Sequence, residues 1–183
     1  SSSAVGPDGT VYVAFEQGFN QVVAVSRDGG ARWNRPTTIG PVADIHDPIP
    51  GANFRTDSFP TIAADPQPGS TTVYAAWTTR TADGGRAVVT RSTDRGATWA
   101  APTTVSGPGQ GYAFFPGIDV APNGRVDLAF QGLKALDPSA FGTGNALIDA
   151  YAVSSADGSS WSTPVRISSV SSDPAASAQN NLQ

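Results

Sequence analysis

Short runs of β-branched, aromatic and small apolar residues, separated by turns rich in glycine, proline and aspartate, recur along the chain. The clearest are Val73-Tyr-Ala-Ala-Trp77 and Val126-Asp-Leu-Ala-Phe130, and Gly6-Pro-Asp-Gly-Thr-Val-Tyr-Val-Ala-Phe15 is their counterpart near the start. Runs this short, bounded by turn signals, predict β-strands rather than helices. Their alternation of small and large apolar side chains fits sheets packed face to face.

The pattern repeats. Ser26-Arg-Asp-Gly-Gly-Ala-Arg-Trp33 and Ser92-Thr-Asp-Arg-Gly-Ala-Thr-Trp99 share one spacing, and Ser155-Ala-Asp-Gly-Ser-Ser-Trp161 is a version one residue shorter. The tryptophans lie 66 and 62 residues apart. The flanks recur as well: Phe59-Pro-Thr-Ile-Ala-Ala-Asp65 matches Phe115-Pro-Gly-Ile-Asp-Val-Ala121, and a proline with a β-branched run follows each tryptophan. Each unit therefore offers four strands, as a propeller blade does. The fold expected is all-β, a single partial β-propeller of three four-stranded blades over 1–183, with repeats near 1–40, 58–106 and 114–168.

The turn has a local physical reason. Asp28 and Asp94 can accept hydrogen bonds from amides of their own turn, with Ser26 and Ser92 beside them, while Gly30 and Gly96 can take positive φ. Trp33, Trp99 and Trp161 are expected to bury their rings between strands, with Asp157 filling the aspartate position of the third copy. These residues read as turn staples rather than as a metal or catalytic set.

These residues resemble the Asp-box (BNR) repeats of the sialidase superfamily, over nearly the whole chain. Sialidases are similar to one another as six-bladed propellers, so three blades are about half of one. The resemblance implies a secreted sialidase-like glycoside hydrolase or glycan-binding propeller, with the missing blades supplied by a parent chain or a second copy. The lack of methionine fits an expectation that the native protein extends upstream.

In that family an Arg-Ile-Pro strand supplies one of three arginines that grip the substrate carboxylate. The matching strands here read Ser58-Phe59-Pro60 and Phe114-Phe115-Pro116, so Ser58 or Phe114 stands at the arginine position. The stretch Ala75-Ala-Trp-Thr-Thr-Arg80-Thr-Ala-Asp83 resembles the sialidase segment with a pocket arginine and the loop aspartate. By that resemblance Arg80 binds substrate and Asp83 is the general acid/base, a role open to a partly desolvated carboxyl. Read from residues alone, Asp83-Gly-Gly is a hairpin turn and Arg80 a solvated strand-end residue. The family's nucleophilic tyrosine and its partner glutamate lie in later blades, and Glu16 is the only glutamate in this chain. A noncatalytic propeller that binds carbohydrate or protein, or a purely structural module, is the alternative.

Composition narrows the partners. Charged residues make up 14% and the net charge is −4, with no basic cluster, so a nucleic-acid surface is not expected. No apolar run is long enough to span a membrane, and cysteine is absent, which removes disulfides and thiolate metal sites.

The densest polar stretch, Asp44-Ile-His-Asp47 with Arg55 and Asp57, falls between the first two repeats. It reads as a polar interblade loop; as a site it would offer a sugar rim in which His46 and Arg55 donate hydrogen bonds, or a calcium site from Asp44, Asp47 and Asp57. No cofactor is assigned. The third repeat has a long insertion over 133–145, expected on the same face as Arg80 and Asp83, where Tyr112, Phe114 and Phe141 could stack on a sugar, although core packing is the simpler use for each.

Overall fold

The computed structural model describes residues 1–49, 54–134 and 147–173. They form three four-stranded antiparallel sheets, each a consecutive meander. The first contains β1 (Ser2–Val5), β2 (Val11–Gln17), β3 (Asn20–Ser26) and β4 (Thr37–Pro41). The second contains β5 (Thr61–Ala64), β6 (Val73–Thr81), β7 (Gly84–Ser92) and β8 (Thr103–Thr104). The third contains β9 (Tyr112–Val120), β10 (Val126–Leu133), β11 (Ile148–Ser155) and β12 (Val165–Arg166). The only helical piece among the described residues is a 3-10 turn at Pro108–Gln110, within the glycine-rich link from β8 to β9.

Strand β5 packs between β1 and β9, so the first strand of each sheet lines a common inner edge. The sheets are thus three blades of a β-propeller, and they do not close a ring. Because side chains alternate across a strand, the middle sheet buries both faces. Tyr12, Ala14, Val23 and Val25 of the first blade meet Ile62, Ala75, Trp77 and Val88 of the second. The second blade's other face, with Tyr74, Ala76, Ala87 and Val89, meets Ile118, Leu128, Phe130 and Val153 of the third.

The repeated turn does two things. Within itself, Asp28 accepts from the Arg32 amide at 2.8 Å, Asp94 from the Thr98 amide at 2.8 Å, and Asp157 from the Ser159 amide at 2.8 Å. The serine hydroxyls of Ser26, Ser92 and Ser155 each accept from a glycine amide, Gly30, Gly96 and Gly158. Toward its neighbour, the turn presses glycine backbone onto the preceding blade. Gly96, at φ 76°, lies where a Cβ would meet Val25 at 3.1 Å and Tyr12 at 3.3 Å, and Gly158, at φ 69°, is closed in by the Tyr74 ring. The guanidinium of Arg95 adds an ion pair to Asp8 at 2.8 Å, and Arg91 donates to the Asp157 carbonyl.

The tryptophans follow the same logic. Trp99 packs against the cluster between the first and second blades, and Trp161 against the cluster between the second and third. Trp33 departs from the sequence expectation: it is 45% exposed, because its turn belongs to the first blade and no described sheet precedes it. Its indole N–H still donates to the Gly30 carbonyl at 3.0 Å, as that of Trp99 does to Gly96 at 3.2 Å, so the turn itself is intact.

Truncating these rings should therefore have unequal cost. Trp99→Ala is expected to lower unfolding free energy by roughly 2–3 kcal/mol, below the range for a fully buried ring, and Trp33→Ala by less than about 1 kcal/mol. Urea denaturation of both variants checks this; equal losses would contradict the interblade role of Trp99.

Candidate functional site

Two ends of the blades differ in content. The serine-aspartate turns follow β3, β7 and β11, so they share one end with the β1–β2 and β5–β6 turns. The opposite end holds the β2–β3 and β6–β7 hairpins, the start of β11 and the links from β4 to β5 and from β8 to β9. The polar candidates from the sequence lie at this second end: Arg80 and Asp83 at the β6–β7 hairpin, His46 and Arg55 on the β4–β5 link.

That link is held in place by apolar anchors beneath it. Ile45 and Ile49 are buried against Tyr112, Phe114 and Leu133. Above them the polar groups are tied down: the Ile45 amide donates to Ser58 Oγ at 3.0 Å, the His46 amide to the Tyr112 hydroxyl at 3.3 Å, and the Thr56 amide to Asp47 Oδ1 at 2.9 Å. The link also pairs with the next blade, since the Arg80 amide donates to the Ala43 carbonyl at 2.7 Å. Tyr112 and Phe114, offered as sugar-stacking candidates, are therefore core residues, 3% and 0% exposed. Phe141 lies outside the described residues, as does most of the 133–145 insertion.

The anchored link brings side chains from two blades together. Arg80 Nη1 stands 3.3 Å from His46 Nε2, although 34 residues separate them in sequence. Arg55 is more peripheral: its guanidinium lies 3.5 Å from Asp57 and 3.8 Å from Asp47, and rests over the Phe59 ring at 5.6 Å. Phe59 and Phe115 occupy matching positions in their repeats and are each 48% exposed. Phe115 sits at φ 51° beside a register shift in the β9–β10 pairing, and a bulge of this kind re-aims a side chain.

Asp83 lies in the two-residue loop between β6 and β7, while Gly84 and Gly85, read from the sequence as turn residues, open β7 and pair with Thr81 and Arg80. Its carboxylate accepts from Thr81 Oγ1 at 2.6 Å and is paired with Arg86. The Thr81 hydroxyl, and then the Arg86 guanidinium, hold this carboxyl below the usual aspartate range, so it rests ionised. Arg86 is itself buried and donates to the carbonyls of Gly85 and Gly111.

Two features escaped the sequence. Glu16, at the end of β2, gathers with Asp44 and Asp57 so that one carboxylate oxygen of each lies within 4.8 Å of the others. Burial, and then the neighbouring Asp44 and Asp57, push the Glu16 carboxyl above its usual range. The sequence grouping of Asp44 and Asp57 with Asp47 is thus corrected: Asp47 turns to Thr56 and Arg55 instead. Asp149 is the second feature. Its side chain is fully buried, yet Lys134 reaches it at 2.6 Å, Arg166 at 2.7 Å, and the hydroxyls of Ser171 and Ser168 at 2.8 and 3.0 Å. Burial raises its pKa, but the Lys134 ammonium and the two serine hydroxyls outweigh that and hold it at about 2. An aspartate at an inward position of an otherwise apolar alternating strand was the available signal.

Among the described residues no helix is long and apolar enough to cross a membrane. No protein-family model and no curated protein matches the sequence. Solved structures do resemble it. A Hadza microbial sialidase matches at TM-score 0.54 and 16% identity, covering 87% of this chain and 35% of its own. The alpha-L-arabinanase of Penicillium chrysogenum, solved with arabinobiose, matches at TM-score 0.56 and 17% identity, covering 94% and 50%. An ulvan lyase representing a new polysaccharide lyase family matches at TM-score 0.58 and 11% identity, covering 91% and 43%. The chain thus spans between about a third and a half of these propellers. At such identities the likeness establishes the fold: three blades of a sialidase-like β-propeller.

Because the native Asp149 pKa is depressed, its stabilising contribution is full above the unfolded value of 3.8 and is lost as pH falls toward about 2. Asp149→Asn should cost roughly 2–4 kcal/mol at neutral pH, because Lys134 and Arg166 lose their shared carboxylate. It should also flatten the acid limb of a thermal-stability profile; an unchanged acid limb would contradict the assignment.

Proposed function

We propose that the chain is part of a carbohydrate-active propeller whose hairpin end holds the glycan. The meeting of Arg80 with His46 carries this reading, since an interblade link and a hairpin converge to present hydrogen-bond donors at one exposed place. The folds of a sialidase, an arabinanase and an ulvan lyase support sugars as the ligand class.

In this reading Arg80, His46 and Arg55 donate hydrogen bonds to sugar hydroxyl or carboxylate oxygens. The half-exposed rings of Phe59 and Phe115 supply the apolar surface on which a sugar face stacks. Asp83 is the acid/base of a sialidase-type hydrolysis, giving a proton to the leaving oxygen. That step requires the carboxyl to hold a proton when glycan is bound, against the pull of the Thr81 hydroxyl and the Arg86 guanidinium. The three serine-aspartate turns are Asp-box repeats, the remaining blades come from the parent chain or a second copy, and the site of action is extracellular.

The second reading is a noncatalytic binding propeller, for carbohydrate or for protein. The Asp83–Arg86 pair favours it, because a carboxylate already ionised by Thr81 and Arg86 serves as an acceptor more readily than as an acid.

A glycan array and a fluorogenic sialoside separate these. The array should show retained glycans, and Arg80→Ala should weaken retention about tenfold or more, the loss of one charge-assisted hydrogen bond. Turnover abolished by Asp83→Asn supports hydrolysis; binding without turnover supports the second reading. A blank array from folded protein would remove carbohydrate altogether.

A further inference from the structure

The geometry points to a divalent-cation site, suited to calcium, formed by Glu16, Asp44, Asp57 and the carboxamide of Gln21 at the junction of the first two blades. Glu16 is the penultimate residue of β2 and Gln21 the second of β3, and the two are direct cross-strand partners, so their side chains project from the same face of the sheet. Asp44 and Asp57 arrive from opposite ends of the β4–β5 link, which folds back through the Ile45–Ser58 and His46–Thr56 hydrogen bonds.

The first argument is spacing. Ligand oxygens around calcium stand about 2.3–2.6 Å from the ion, so two of them can be at most about 5 Å apart. One oxygen from each of the three carboxylates falls within 4.8 Å of the others, the compass of a single coordination shell. The donors are all oxygens, which selects a hard cation over zinc.

The second argument is independent of the acids. Gln21 has no solvent exposure, and its Nε2 donates to the Ser58 carbonyl at 3.0 Å and stands 3.5 Å from Glu16 Oε2. Its Oε1, on the same carboxamide whose Nε2 faces Glu16, is buried and has no hydrogen-bond partner. A buried acceptor left unmet costs free energy. A cation meets both needs, accepting the lone pair of Oε1 and cancelling the repulsion among three carboxylates. The guanidinium of Arg55 pairs with one of the three carboxylates, Asp57, at 3.5 Å. Asp44 is exposed, so water can complete the shell.

Calorimetric titration of the 183-residue chain with calcium chloride, after chelator treatment, tests this without any substrate. One saturable site is expected, together with a rise in Tm of several degrees that a chelator reverses. Asp44→Asn, at an exposed position that leaves the fold intact, should weaken binding at least about tenfold, and Glu16→Gln should do the same. Far-ultraviolet circular dichroism confirms that each variant is folded. Absence of saturable heat in the wild type, equal affinity in the variants, or an equal Tm rise from sodium chloride of matched ionic strength would overturn the site.

Discussion

Each blade after the first is seated at one end by a turn whose glycine presses on the sheet before it. Gly96 presses on Tyr12 and Val25, and Gly158 on Tyr74, with Trp99 and Trp161 closing the same seams. Both glycines hold positive φ, and both stand where a side chain would meet the preceding blade. The aspartate of the turn keeps that shape by accepting amides of its own loop. Two separate requirements, a left-handed backbone and close approach, therefore coincide on one residue. Sheets that bury both faces become possible because this turn fixes how far apart they stand.

The rest of the molecule follows from that spacing. With the turns docked at one end, the hairpins and interblade links of successive blades are brought within reach of each other at the other end. His46 then meets Arg80, and Asp44 and Asp57 meet Glu16, although these residues are dispersed in sequence. The link is polar above and apolar below, with Ile45 and Ile49 seated on Tyr112 and Phe114. Its charged groups are consequently held at the surface by a buried underside, which is how a loop becomes a preorganised site.

The blade fold was legible because its signals are local. Strand runs, the serine-aspartate turn and the tryptophan each act within a few residues, and the alternation of apolar side chains requires a sheet with two buried faces. Trp33 was misjudged for a reason that is not local: its burial depends on a neighbouring blade, and the turn alone does not reveal whether one is there. Phe114 and Tyr112 were ambiguous because an aromatic in a strand has the same pattern whether it faces core or rim. Glu16 was invisible as a cluster member since its partners come from a link whose path depends on Ile45 and Ile49 sinking into the core. Asp149 was similar, its cations coming from Lys134 and Arg166 across a loop and an edge strand.

Comparison of Gly158→Ala with Gly30→Ala by thermal unfolding tests the docking claim most directly. Both residues hold positive φ, 69° and 93°, so both substitutions incur backbone strain, but only Gly158 faces the preceding blade. Seated turns predict a markedly larger fall in Tm for Gly158→Ala, the excess reporting the clash with Tyr74. Equal falls would show that the turns are merely local corners, and that the blades are held at their spacing by something else.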